Sequence, residues 1–132
     1  MTVNFALNDQ FYHTQPVAGQ PNVDPIQYME IISKMVSEAR AAGKQVVLYE
    51  PNPTKWQPAP GDLGSYVHAL RQVAQQYNVP IVAKFDYLQT LPDWKTTLLS
   101  EDGVHPTDAG YEAIAEQEAK TLAPIVQSLL SH

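Results

Sequence analysis

No cysteine occurs among the 132 residues, which excludes disulfides, thiolate metal centres and cysteine nucleophiles and leaves the redox compartment open. Basic residues are few: eight Lys and Arg stand against fourteen Asp and Glu, for a formal charge of −6. With no cluster of Lys or Arg, the field disfavours nucleic acid and anionic membrane surfaces, so neither is an expected partner. Long apolar runs are also missing. The opening stretch MTVNFALNDQ has no basic start and no extended hydrophobic core, so neither a signal peptide nor a membrane span is expected, and cytoplasmic or secreted location stays undetermined. No internal repeat or low-complexity tract appears. The eleven prolines gather around Pro16 to Pro25 and Pro51 to Pro60, as loops inside one domain rather than linkers. The length suits one sizeable core and not two, so residues 1–132 are expected to be a single domain.

What is present alternates between strand and helix patterns. Thr2 to Leu7 places Val3, Phe5 and Leu7 on one side and predicts a strand that stops at Asn8-Asp9. Asp24-Pro25 supplies an N-cap and a proline at the first helical position; Ile26, Met29, Ile32, Met35, Val36 and Ala39 follow at helical spacing until Gly43. KQVVLYE, bounded by Gly43 and Pro51, reads as a strand buried on both faces. After the loop EPNPTKWQPAPGD, a second helix is expected from about Asp62 to Asn78 through Val67, Leu70, Val73, Ala74 and Tyr77, and VPIVAKFDY is expected to be the next buried strand. A short helix near Asp93 to Leu99 and a last helix from about Thr107 to Ser131, kinked or divided at Pro124, complete the chain.

Strands alternating with helices argue for an α/β fold with parallel strands joined by right-handed crossovers. Ligands in such folds bind beyond the carboxyl ends of the strands, where Asn8-Asp9, the Glu50 to Pro53 turn and Asp86 all fall. Near the end, in EDGVHPTDAGY, Asp102 and His105 sit three residues apart just before the last helix. A histidine acting as general base needs one ring nitrogen held by a carboxylate so that the other is free to take a proton. The spacing alone is more often that of a capped turn with a loop histidine. Asp108 extends the pattern to D-x-x-H-x-x-D, but two carboxylates and one imidazole make a poor metal site, and no metal is expected.

The pair of blocks FALND, at the end of the first strand, and DGVHPTDAGY, before the last helix, resembles two motifs of the SGNH (GDSL) hydrolase family. That resemblance covers nearly the whole chain. It implies a three-layer α/β/α fold with a short parallel sheet, flavodoxin-like, and hydrolysis of carboxylic esters such as acylated sugars or lipids without a cofactor. Residue by residue, it makes Asn8 the oxyanion donor, Asp102 the orienting carboxylate and His105 the general base. Ala6 stands where the family usually has glycine, a mild departure.

The family's first strand ends in a G-D-S motif that carries the nucleophilic serine, and a second block supplies a glycine amide. Neither is found here, so the chain resembles an N-terminally truncated member. The six serines offer no substitute: none follows a strand in a tight glycine turn, and Ser100, two residues before Asp102, is expected to be a turn former. The chain alone is therefore expected to have little or no esterase activity, and a non-catalytic binding or assembly module descended from such an esterase is the alternative. If the neighbouring strand is missing, the Thr2 to Leu7 strand becomes an edge, and a homodimer through it, or complementation by another chain, is expected. Phe11, Tyr12, Trp56 and Trp94 in the expected loops are candidates for a ligand groove or for ordinary packing, and His13 is expected to be a plain surface residue.

Overall fold

A computed structural model describes residues 1–56 and 63–131. Three short strands form one sheet in the order β1 (Thr2–Val3), β2 (Val47–Tyr49), β3 (Ile81–Val82). β1 and β2 run parallel, with Thr2 opposite Val47 and Val3 opposite Leu48. The helices are α1 (Leu7–Thr14), α2 (Pro25–Ala41), α3 (Leu63–Tyr77), α4 (Phe85–Thr90), α5 (Trp94–Thr97) and α6 (Asp108–Leu130). None of the described helices is long and apolar enough to cross a membrane. The fold is α/β with a short parallel sheet, as the alternation of patterns implies.

The chain divides into two compact units. The first comprises the described residues of Met1–Pro51 and Gln57–Ile81. Its core is built where period and burial agree. β2 and its flanks, Val46 to Glu50, are buried throughout, as a continuous apolar run between helix-bearing connections requires. α2 starts on a full capping box: the Asp24 carboxylate accepts from the Gln27 N–H at 2.8 Å while the Gln27 side chain accepts from the Asp24 N–H at 3.1 Å. Its buried stripe is Tyr28, Ile32, Val36 and Ala39. The expected stripe also contained Ile26, Met29 and Met35. Met29 and Met35 are half-buried, while Ile26 is 67% exposed, because Tyr28 and Met29 lie four and three residues back from Ile32 and Ile26, six back, falls on the other side. α3 buries Leu63, Tyr66, Val67, Ala69, Leu70, Val73 and Ala74 and packs on α2; Asp62, its expected start, lies outside the described residues.

The expected strand Thr2 to Leu7 is shortened to two residues. Val3 is buried, but Phe5 is 55% exposed and Leu7 already opens α1. The interruption is Ala6, whose φ of 135° is a glycine-type conformation and turns the backbone into a helix, where the Gln10 N–H donates to the Ala6 carbonyl at 2.9 Å. The side-chain alternation was real and the backbone did not follow it.

The second unit comprises Asn52–Trp56 and Val82–His132, described to residue 131. Its apolar centre is Leu88, Leu98 and Ile114, with Tyr87, Leu91, Trp94 and Ala113 packed against it. VPIVAKFDY is strand only at Ile81–Val82: the Leu88 N–H donates to the Lys84 carbonyl at 3.0 Å, so Phe85 to Tyr87 belong to a helix. Asp86 accordingly stands in the first turn of α4. α5 falls inside the segment expected to be helical. α6 is continuous through Pro124, so the expected division there does not occur; Pro124 is exposed, where the loss of one backbone donor is tolerated.

Ala6 is 2% exposed, so its backbone is fixed by its surroundings. Relief of a sparsely populated conformation is worth about 1–3 kcal/mol and a glycine's extra chain entropy costs about 0.5–1 kcal/mol. Ala6→Gly is expected to stabilise the protein by about 1 kcal/mol in thermal or urea unfolding; destabilisation by that substitution would contradict the assigned conformation.

Candidate functional site

The last two residues of DGVH are organised by one carboxylate. Asp102 Oδ1 accepts from the Val104 N–H at 2.8 Å and from the His105 N–H at 2.9 Å, while Oδ2 lies 2.5 Å from His105 Nδ1. Two backbone bonds from residues two and three positions on are those of an Asx-type turn. The cap of the turn and the Asp102–His105 side-chain bond are thus made by the same carboxylate. The backbone around it is closed by Ser100 N–H to the His105 carbonyl and Gly103 N–H to the Ser100 carbonyl, both 2.8 Å. Gly103 has φ 68°, the left-handed conformation that this reversal needs.

The three donors, led by the Val104 N–H and followed by the His105 ring and the His105 N–H, lower the Asp102 carboxyl from 3.8 to about 2. The carboxylate is therefore ionised and can only accept, so the proton of the ring bond resides on Nδ1. In the neutral imidazole the Nε2 lone pair is then free. The His105 side chain is 74% exposed, and among the described residues no side chain bonds Nε2. This arrangement favours one tautomer of an exposed imidazole.

Behind the turn, Leu99 bridges Pro106 in antiparallel fashion, and the Thr107 N–H donates to the Leu98 carbonyl at 3.0 Å. Thr107 also caps α6, its hydroxyl oxygen accepting from the Gly110 N–H at 3.2 Å. Gly110 is needed for the close approach: a Cβ there would stand 2.2 Å from the Leu98 carbonyl oxygen.

Asn52, in the Glu50 to Pro53 turn expected at the ligand edge, and Lys55, which the sequence did not single out, secure the other side. The Asn52 amide donates to the Val104 carbonyl at 2.8 Å, the Lys55 N–H to the Gly103 carbonyl at 2.9 Å, and Lys55 Nζ to the Glu101 carbonyl at 3.1 Å. Three carbonyls of the histidine turn are therefore taken up by the segment Asn52 to Lys55. Its signal in the sequence is P-N-P: two flanking prolines have no N–H, so the asparagine side chain is the donor that such a turn can offer.

Asn8 lies in the first unit, exposed in the first turn of α1. The structure brings Asp102 and His105 together; Asn8 is placed by its own surroundings. The Tyr28 hydroxyl donates to the Phe5 carbonyl at 3.3 Å, and the Tyr66 hydroxyl to the Val23 carbonyl at 2.6 Å. Burial, and next the Asp9 carboxylate, push the Tyr66 hydroxyl up to about 12 and Tyr28 higher still, while burial raises Asp9. Both tyrosines therefore remain protonated donors.

Ser100 is a turn former, as its two backbone bonds require. Trp94 packs on the Leu88 cluster, and Phe11 meets Tyr12 edge to face at 5.4 Å. His13 is tied to Asn22, Nδ1 to Oδ1 at 2.8 Å. An open groove of about 540 Å³ between α2 and α3 is lined by residues that include Ile26, Met29, Ser65 and His68, and by none of Asn8, Asp102 or His105. Among the described residues no three His, Asp or Glu side chains gather as a metal site.

A model of the GDSL-like Lipase/Acylhydrolase family matches residues 1–113. Among solved structures, the chain is similar to a lipase/acylhydrolase from Enterococcus faecalis, with 20% identity, TM-score 0.69, and coverage of 90% of this chain and 60% of that one. It is similar to a W215I variant of an acetyl xylan esterase from Geobacillus stearothermophilus, with 21% identity, TM-score 0.75, and coverage of 91% and 57%. An alpha/beta hydrolase enzyme from the metagenome of Lake Arreo, Spain, is also 21% identical, with TM-score 0.72 and the same coverage. The chain thus spans 57–60% of the length of these solved structures. No curated protein matches it.

A carboxyl held near 2 in the fold against 3.8 in the unfolded chain contributes stability that is complete above about pH 4 and is lost as pH falls toward 2. Carboxyl-carbon NMR is expected to give an Asp102 midpoint near 2; a midpoint near 3.8 would show that the three bonds do not hold the charged form.

Proposed function

The chain belongs to the GDSL-like lipase/acylhydrolase family, and from that premise we propose that it carries the acid–base half of an ester-hydrolysing site, with Asp102 as orienting carboxylate and His105 as general base. The observation that carries the reading is the short bond between Asp102 Oδ2 and His105 Nδ1, which fixes the proton on Nδ1 and leaves Nε2 as the acceptor. In the reaction a nucleophilic hydroxyl transfers its proton to Nε2 as its oxygen attacks the ester carbonyl, and the imidazolium so formed returns that proton to the departing alkoxide. Asn8 supplies a side-chain amide donor to the carbonyl oxygen as it becomes an oxyanion. Substrates are carboxylic esters of a sugar or a lipid, and the chemistry assigned to these residues requires no cofactor.

The nucleophile is not assigned to any of the chain's own serines. Ser33 and Ser37 lie on α2, Ser65 on α3, Ser100 in the histidine turn, and Ser128 on α6 with Ser131 at its end. A base and an oxyanion donor without a serine cannot form an acyl-enzyme, and loss of the serine from such a triad costs roughly a millionfold in rate. These 132 residues are therefore proposed to turn over little or no ester alone. The partner we propose is a second copy at the outer edge of β1, which pairs with a neighbour on one side only and lies near Met1 and Phe5, 45% and 55% exposed. At two residues that edge is shorter than the sequence pattern implied, so apolar contact through Phe5 carries more of the association than strand pairing does.

Hydrolysis of p-nitrophenyl acetate by the chain and by His105→Ala is expected to be equal and close to the uncatalysed rate, with a dimer by sedimentation of the same samples. His105-dependent turnover would overturn the claim of an absent nucleophile, and a monomer at micromolar concentration would overturn the dimer. A chain that binds esters or sugars without hydrolysing them, even when a serine-bearing partner is supplied, would favour the binding-module reading.

A further inference from the structure

Lys55 links the histidine turn to an exposed aromatic ring. Besides its two bonds to the Gly103 and Glu101 carbonyls, its aliphatic stem lies flat on Gly103, where an added Cβ would stand 2.2 Å from Lys55 Cδ. Its ammonium sits 4.9 Å from the centroid of the Trp56 ring, a cation–π contact that limits the ring's freedom. Trp56 is nonetheless 55% exposed, unlike Trp94, which packs on the apolar cluster of the same unit. Tyr111 of the same unit is exposed as well, but Trp56 is the ring that is fastened through its neighbour to the turn that carries Asp102 and His105.

We propose that Trp56 is a stacking platform for the sugar ring of an acylated carbohydrate, and so a specificity-determining residue for the site. This rests on the reading of Asp102 and His105 as an ester-hydrolysing pair. The choice of ligand class follows from what surrounds the ring. An acyl chain gains about 25 cal/mol for each Å² of apolar surface removed from water, and to collect it needs apolar walls on several sides. The one contact the described residues give the ring is the Lys55 ammonium, which is itself bonded to the Glu101 carbonyl, one residue before Asp102. The ring is thus an apolar face with a charged group and, beyond it, the polar turn. A pyranose has the matching form: a face of C–H bonds to lie on the indole, and a rim of hydroxyls that donate to carboxylate and carbonyl oxygens.

The test uses the whole chain and two neutral probes, xylotetraose and cellotetraose, followed by the two indole N–H signals in ¹H–¹⁵N NMR. The Trp56 signal is expected to shift saturably at millimolar sugar while the Trp94 signal stays in place. Trp56→Ala is expected to weaken binding about tenfold or more and Trp56→Tyr to keep most of it. Absence of a saturable shift with both sugars overturns the proposal, as does a shift of Trp94 alone, undiminished binding by Trp56→Ala, or a Trp56 response to octanoate in place of sugar. The outcome is separable from that of the hydrolase reading: sugar binding at Trp56 by a chain that stays inert when a serine is supplied keeps the platform and removes the reaction. His105-dependent hydrolysis without sugar binding does the reverse.

Discussion

One carboxylate accepting three N–H groups is the constraint on which the candidate site depends. Asp102 closes the turn through the Val104 and His105 amides with one oxygen and aims the imidazole with the other. Because the same side chain folds the loop and sets the histidine tautomer, the local structure and the chemistry cannot be varied separately. The charge that makes it a good cap for two amides is the charge that holds the ring proton on Nδ1. The turn is then fastened on both sides, by the Leu99 to Pro106 bridge with the capped start of α6, and by the segment from Asn52 to Lys55. An exposed histidine would otherwise sample many rotamers; here the backbone that carries it has its carbonyls engaged at positions 101, 103, 104 and 105.

Much of this was legible where local chemistry decides the outcome. The Asp24-Pro25 cap, the buried run at β2 and the D-x-x-H turn all follow from side chains acting on their nearest backbone, and each is present. The fold class was legible for the same reason, from the alternation of periods. Two expectations failed where the backbone conformation was set from farther away. Val3, Phe5 and Leu7 alternate, yet Ala6 adopts a φ of 135° that nothing in its own side chain favours, so the strand ends early. VPIVAKFDY offers an apolar run that suits strand or helix alike, and the helical bond of Leu88 to Lys84 takes its second half. The Glu50 to Pro53 turn was expected at the ligand edge, but which carbonyls Asn52 and Lys55 would bind was not legible, because they lie some fifty residues away in sequence.

Ala6 joins the two strands of the account. It stands where the resemblance puts the glycine of the G-x-N-D block, and its backbone adopts a conformation that glycine would supply at no steric cost. Alanine does not favour that conformation, and the burial of Ala6 holds it there. The Asn8 segment is flanked by the Tyr28 hydroxyl on the Phe5 carbonyl and the Tyr66 hydroxyl on the Asp9 carbonyl, with burial around Asp9.

The central claim is that His105 is a base held in one tautomer by Asp102. Long-range ¹H–¹⁵N NMR of the imidazole near neutral pH reads this without any substrate. The account requires a neutral ring protonated at Nδ1 with a bare Nε2, reverting to a mixture of tautomers in Asp102→Ala. A ring protonated at Nε2 in the unaltered protein would contradict it, because the nitrogen assigned to accept the proton would already hold one.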